Sequence, residues 1–205
     1  AYMLYPEVLS SDEKALRLPI DNSRMEILEL LIAYCQKRLD NKQVINFNFI
    51  CTHNSRRSQL SQVWAQVAGG YYDLSINSFS GGVEVTAFNE RAVSALKRQG
   101  FRITSSASDN PLYETHFGES TTPILSFSKL YDHPDNPTSE FAAIMTCSDA
   151  DENCPFIPGA EARIPLRYED PKAFDHTNRE AEMYDARSMQ IASELLFVFR
   201  KVSQS

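Results

Sequence analysis

The stretch Val44-Ile-Asn-Phe-Asn-Phe-Ile50, followed by Cys51-Thr-His-Asn-Ser-Arg-Arg57-Ser58, decides the fold. The first segment is rich in β-branched and aromatic residues and predicts a strand. Beyond the loop, apolar residues recur at helical spacing at Leu60, Val63, Trp64 and Val67. We expect the pair Gly69-Gly70 to end that helix. A strand, a tight loop and a helix in this order form the start of a βαβ unit.

The same alternation continues along the chain. Further strands are expected at 73–79, 142–146 and 163–168, and further helices at 88–99 and 178–202. Strands that alternate with helices predict an α/β fold, a three-layer sandwich with a central four-stranded, mainly parallel sheet covered on both faces. Residues 110–140 interrupt the alternation with a single strand candidate, Ile124–Leu130, and are interpreted as an insertion near the pocket.

Residues 1–40 are predicted to be helical, with an interruption at Pro19. The second helix carries an apolar stripe that includes Cys35, which is expected to be a core residue. We therefore divide the chain into an N-terminal helical extension, 1–40, and a main domain, 41–205.

Composition narrows the classes of function. The 205 residues carry a net charge of −7, which argues against a nucleic-acid partner. No apolar run of 18 residues is present, so no membrane partner is expected. Four cysteines are too few for a disulfide scaffold, and no export signal is visible. The expectation is a cytoplasmic protein with reduced thiols.

The loop at Cys51 has the features of an oxyanion site. Main-chain N–H groups at a helix N-terminus attract a tetrahedral anion, and the planar guanidinium of Arg57 can hold two of its oxygens. The same field favours the thiolate of Cys51, and the hydroxyl of Ser58 can donate to that sulfur. Asn54 tolerates left-handed backbone angles. The remaining residues expected to bind the anion are Thr52, His53, Ser55 and Arg56.

A second group of candidate residues lies late in the chain. Cys147 and Cys154 flank an acidic segment at a strand end, and parallel strands place such ends on one edge of the sheet. Cys147 is therefore expected near Cys51. Zinc binding, with His176 as the nearest downstream histidine, and two unreactive cysteines are the alternatives. Asp170, directly before Pro171, is a candidate general acid or a simple turn residue.

Taken together, residues 44–58 resemble the phosphate-binding loop of the low-molecular-weight protein tyrosine phosphatases and of the thioredoxin-coupled arsenate reductases, which share one fold. The resemblance implies that Cys51 is the nucleophile, Arg57 the anion clamp and Asp170 the general acid. The segment from Thr146 to Pro155 looks like the redox segment of the reductases. By that likeness Cys51, Cys147 and Cys154 form a thiol relay, thioredoxin is the electron donor, and no other cofactor is needed. Asn54, Ser80 and Asp109 match potassium ligands of some reductases, although Gln62 stands where those enzymes place glutamate.

Three functions remain open at this point. The first is reduction of arsenate to arsenite by the relay, with a covalent intermediate on Cys51. The second is hydrolysis of phosphotyrosine or small phosphate esters, with the late cysteines as a redox guard. The third is a non-enzymatic oxyanion-binding or redox-sensing module that contacts another protein through residues 1–40.

Overall fold

A computed structural model describes residues 3–154 and 156–204. The first two residues of the N-terminal extension and Pro155 of the predicted redox segment lie outside that range. The helices are α1 (Pro6–Leu16), α2 (Met25–Asp40), α3 (Arg57–Tyr71), α4 (Glu90–Arg98), α5 (Ser148–Asn153) and α6 (Glu180–Ser203). The strands are β1 (Met3–Leu4), β2 (Ile45–Cys51), β3 (Ile76–Gly82), β4 (Arg102–Ser105), β5 (Tyr113–His116), β6 (Gly118–Glu119), β7 (Ile124–Ser126), β8 (Phe141–Met145) and β9 (Ala160–Ile164). Within the described residues, no helix is both long and apolar enough to cross a bilayer.

Four parallel strands form the central sheet in the order β3-β2-β8-β9, with β2 in the interior. Side chains of β2 and β8 alternate between two apolar cores. Phe47, Phe49 and Ile144 face the larger core, which the long helices share. Ile50 and Met145 face a smaller core closed by α5. The prediction of a three-layer α/β sandwich is confirmed.

Several predicted boundaries are wrong. Helix α3 does not end at Gly69-Gly70 but continues to Tyr71. A Cβ on Gly69 would lie 2.7 Å from Cδ1 of Ile76. This glycine therefore leaves room for the Ile76 side chain of β3 and does not end the helix. The last strand is Ala160–Ile164 instead of 163–168. Its pairing with β8 runs from Phe141 opposite Ala160 to Ile144 opposite Ile164.

The segment 110–140 contributes to a separate antiparallel sheet of order β4-β5-β7. Its first strand, β4, precedes residue 110, so the segment folds together with the chain before it. Strand β7 is shorter than predicted and ends at Ser126. From there the chain runs to the edge of the central sheet, where Leu130 forms a bridge with Gly82.

The N-terminal helices pack on the main domain. Both α1 and α2 contact α6, and Val8, Leu28 and Leu31 belong to the larger core. Between them, Arg24 donates from Nε and Nη2 to the two carboxylate oxygens of Glu194 on α6, at 3.0 and 2.9 Å. The division of the chain at residue 40 remains a prediction.

Strand β3 lies at one edge of the central sheet, and side-chain amides bond its outer main chain. Gln66 donates to Ile76 O at 3.0 Å and accepts from Ser78 N at 3.2 Å. Gln62 donates to Ser78 O at 3.3 Å. Helix α3, which carries both glutamines, thus satisfies main-chain groups that a fifth strand would otherwise pair with.

Candidate active site

The loop between β2 and α3 turns its carbonyl groups outward. Four carbonyls accept hydrogen bonds of 2.9–3.1 Å: Thr52 O from Val83 N and Glu84 N, His53 O from Thr86 Oγ1 and Ser128 Oγ, Asn54 O from Gln59 Nε2, and Ser55 O from Asn89 N. The C=O and N–H of one peptide unit point in opposite directions. The N–H groups from His53 to Arg56 are therefore directed toward the inside of the loop, where an anion can accept from them.

Cys51 ends β2 and is 3% exposed. Its Sγ lies 3.0 Å from Ser58 Oγ, and Asn54 Nδ2 donates to that same hydroxyl at 2.8 Å. Because Asn54 donates to the Ser58 oxygen, the Ser58 proton is free to point at the sulfur. Asn54 itself has a φ of 47°, in the left-handed region. Its Oδ1 accepts from Lys129 N at 3.0 Å, which ties the loop to the segment after β7.

The end of β3 presses against the same loop. A Cβ on Gly82 would lie 2.9 Å from both Asn54 N and Thr52 O. Only glycine leaves room for this approach. The close contact fixes the position of the anion loop against the end of β3.

Arg57 begins α3 and pairs with the segment after β9. Its Nη1 donates to Tyr168 O at 3.1 Å, and its Nη2 donates to Asp170 Oδ2 at 3.1 Å. The other carboxylate oxygen of Asp170 accepts from Lys172 N at 3.0 Å, at the start of the short 3-10 helix Pro171–Phe174. The structure thus brings the predicted clamp and the predicted acid together at the mouth of the loop.

A network of side chains fixes the second loop arginine. Arg56 Nε donates to Tyr184 Oη at 3.1 Å, and this hydroxyl donates to Asp175 Oδ1 at 2.7 Å. Burial and the bond to Asp175 raise the pKa of Tyr184 to about 12, so its hydroxyl stays protonated. At the rim, His53 Nε2 lies 3.3 Å from Glu84 Oε2, and both side chains are exposed.

The late cysteines lie in and around α5. Cys147 occupies the N-cap position, and its Sγ accepts from Ala150 N at 3.3 Å. Thr52 joins this segment to the anion loop, since its Oγ1 donates to Asp149 Oδ2 at 2.6 Å and lies 3.6 Å from Cys147 Sγ. The hydrogen bond from Thr52, with a second from Asn153, lowers the pKa of Asp149.

Three thiols share the smaller core. Cys51, Cys147 and Cys154 are all free and buried in one apolar cluster with Ile50, Ala150 and Ile157. Burial raises the pKa of Cys154, an effect that the nearby Arg163 opposes. The fourth cysteine, Cys35, is separate from this group and lies in the larger core, as its helical spacing predicts.

The structure gives no support to the zinc and potassium hypotheses. Within the described residues, no three side chains of histidine, cysteine, aspartate or glutamate are grouped to hold an ion, which leaves zinc without a ligand set. Asn54 Oδ1 accepts from Lys129 N, and Ser80 Oγ donates to Gln62 Oε1 at 2.6 Å. Both proposed potassium ligands therefore have protein partners, and Asp109 is exposed between β4 and β5. Potassium binding remains a prediction.

Some residues at the site carry no signal in the sequence. The carbonyl of Tyr168 and the hydroxyl of Tyr184 reach the loop arginines from positions more than 100 residues away. Lys129 reaches Asn54 from a segment interpreted only as an insertion. Asp149 had a weak signal, because it lies two residues after Cys147 in a segment already linked to the loop.

No protein-family model matches the chain. The chain is 32% identical to the arsenate reductase of Staphylococcus xylosus over 123 residues, which are 60% of this chain and 76% of that protein. It is 32% identical to the arsenate reductase of Staphylococcus aureus strain Newman over 124 residues, with the same two shares.

Solved structures have the same fold. An arsenate reductase in a phosphate-binding state matches with a TM-score of 0.52 and 17% identity over 78% of this chain and 99% of that one. A low-molecular-weight phosphotyrosine phosphatase from Vibrio cholerae O395 matches with a TM-score of 0.51 and 14% identity, over 78% of this chain and 97% of that one. At these identities the matches show the fold, and they confirm the predicted phosphatase-like sandwich.

Proposed function

Because this chain belongs to the arsenate reductases built on the low-molecular-weight phosphatase fold, we propose that it reduces arsenate to arsenite through a relay of Cys51, Cys147 and Cys154. Thioredoxin is the proposed electron donor. The relay requires reduced thiols at the start of each cycle, so we place the enzyme in the cytoplasm.

One observation supports the relay above all. The three thiols lie in one small buried core, at the ends of β2 and β8 and beside α5. Thr52 bridges the two parts of this core, because its hydroxyl contacts both Asp149 and the sulfur of Cys147.

The proposed chemistry begins with the anion. Arsenate binds in the loop, the Cys51 thiolate attacks arsenic, and one oxygen leaves as water after protonation. Cys147 then attacks Cys51 Sγ, a disulfide forms, and the electron pair of the breaking S–As bond stays on arsenic, which leaves as arsenite. Cys154 attacks Cys147 and releases Cys51 as a thiol. A thioredoxin dithiol finally reduces the Cys147–Cys154 disulfide.

The test maps disulfides by mass spectrometry after the reduced protein is treated with arsenate. A Cys147–Cys154 disulfide is expected in the natural chain and a Cys51–Cys147 disulfide in Cys154→Ser. Cys147→Ser should form neither of these disulfides. Cys35→Ala is the matched control, because that thiol lies in the other core. An unchanged count of free thiols in the natural chain would contradict reduction.

A second candidate function is hydrolysis of phosphate esters, and the position of Asp170 favours it. Its carboxylate lies at the mouth of the loop, where an acid can protonate a leaving oxygen. Turnover of a phosphotyrosine peptide without any arsenate-dependent disulfide would support this function over the first.

A further inference from the structure

A cavity of about 680 Å³ lies between the outer side of β3 and the segment 122–136. Apolar side chains form much of its wall, among them Phe79, Phe117, Ile124 and Phe127. A volume of this size suits a small organic molecule. None of the anion-loop residues, 51–58, lines this cavity.

Lys129 lines the cavity although it is only 4% exposed. Its Nζ lies 4.8 Å from the centroid of the Phe127 ring. Within the described residues its ammonium has no carboxylate within 4 Å; the exposed Asp135 also lines the cavity, and its charge raises the pKa of Lys129 against the larger effect of burial. A lysine in an apolar wall is costly unless an anion compensates it. Burial accordingly lowers its pKa to about 8.

Asn136 is a second buried polar residue in the same wall. This residue is 4% exposed, and its Nδ2 donates to Ser80 O at 2.9 Å and to Tyr131 O at 3.1 Å. Its Oδ1 is buried and has no hydrogen-bond partner. A buried acceptor without a donor typically costs about 1–3 kcal/mol. This oxygen is closed off from the cavity, so Asn136 stabilises the wall through its amide donor and offers a ligand no acceptor there.

We propose that this cavity is a binding site for a small organic carboxylate with an aromatic body. The carboxylate pairs with Lys129, and the ring packs on the phenylalanines. The proposal does not depend on the chemistry of the anion loop. A metal ion does not suit a site whose only buried charge, among the described lining residues, is an ammonium.

Inorganic oxyanions suit the cavity less than an organic acid does. A tetrahedral anion needs several donors around it, as the loop at Cys51 provides. Here Lys129 is the one cationic residue among the described lining residues, and the phenylalanine rings beside it prefer a flat apolar partner. The anion loop at Cys51 and this cavity should therefore bind ligands of different chemical classes.

The experiment is calorimetric titration of the full chain with 4-hydroxyphenylacetate, in an excess of inorganic phosphate that occupies the anion loop. Binding is expected to persist under phosphate. Lys129→Gln should weaken it roughly tenfold or more, because a charge-assisted bond is lost. Lys97→Gln, at an exposed lysine of α4, is the matched control and should bind as the natural chain does.

Three results would overturn the proposal: no binding heat, loss of binding when phosphate is added, or equal affinity in Lys129→Gln. A second measurement on the natural chain guards against misfolding of the variant. Acylation of Lys129, followed by peptide mass spectrometry, should slow when 4-hydroxyphenylacetate is present, whereas acylation of Lys97 should not. Equal labelling of Lys129 with and without the acid would also overturn the proposal.

Discussion

A hydrogen bond of 3.1 Å joins Arg57 Nη2 to Oδ2 of Asp170, so the proposed anion clamp and the proposed general acid hold each other. Both side chains are partly buried at the mouth of the loop. A tetrahedral anion that engages Arg57 through two of its oxygens must compete with this pair. Asp170 thus has two opposing effects, because it occupies the clamp and also offers a proton donor.

Asp170→Asn should separate these effects. Hydrolysis of a phosphate ester is expected to fall about 100-fold, because the acid is lost. Phosphate should bind up to about fivefold more tightly, because a partly exposed ion pair no longer competes for Arg57. Phosphate affinity is measured by calorimetry and hydrolysis by product release. Glu169→Gln, at the exposed neighbouring position, controls for the change in net charge; weaker phosphate binding in Asp170→Asn would contradict the competition.

Asp149→Asn tests how α5, the helix between the proposed relay cysteines Cys147 and Cys154, is held against the anion loop. The carboxylate accepts from Thr52 Oγ1 at 2.6 Å and from Asn153 Nδ2, and an amide accepts more weakly. We expect arsenate-dependent formation of the Cys147–Cys154 disulfide to slow about fivefold, as the loss of about 1 kcal/mol implies. Hydrolysis of phosphate esters needs the anion loop and Asp170 but neither Cys147 nor Cys154, and it should change little. Asp132→Asn, at an exposed aspartate, is the control, and an equal loss of both activities would argue for general unfolding instead.

Asp12 predicts an unusual pH dependence of stability. Its side chain is buried in α1, neither carboxylate oxygen has a hydrogen-bond partner, and burial raises its pKa to about 8. The folded state therefore keeps a proton that the unfolded state releases near its ordinary pKa of 3.8. Its contribution to the free energy of unfolding is fully present below that value and is lost as pH rises toward 8, by up to about 1.4 kcal/mol per pH unit.

Asp12→Asn should remove this slope, because an amide does not titrate. Urea unfolding at pH 5 and pH 8 is expected to show a larger stability loss for the natural chain than for the variant. Glu29→Gln, at an exposed position of α2, serves as the control and should keep the natural slope. Equal slopes for the natural chain and Asp12→Asn would show that this carboxyl does not titrate between those pH values.

The sequence predicts the centre of the molecule well and its periphery less well. Strand β2 and the Cys51 loop carry strong local signals, since β-branched and aromatic residues precede a recognisable anion loop. Helix α3 was predicted to stop at its glycines, but Gly69 is there to admit Ile76, a contact that only the folded chain reveals. Partners such as Tyr168 for Arg57 and Lys129 for Asn54 depend on main-chain groups, and a main-chain carbonyl or N–H is the same in every residue type. No sequence pattern can therefore indicate them.

The two glutamines of α3 that bond the outer main chain of β3 have a consequence for association between molecules. An open sheet edge is a template on which a second chain can add a strand, and such pairing leads to aggregation. With α3 in place, the carbonyl of Ile76 and both main-chain groups of Ser78 are already bonded within one molecule. The hazard therefore returns only when α3 undocks, so the same helix that positions Arg57 also keeps neighbouring molecules apart.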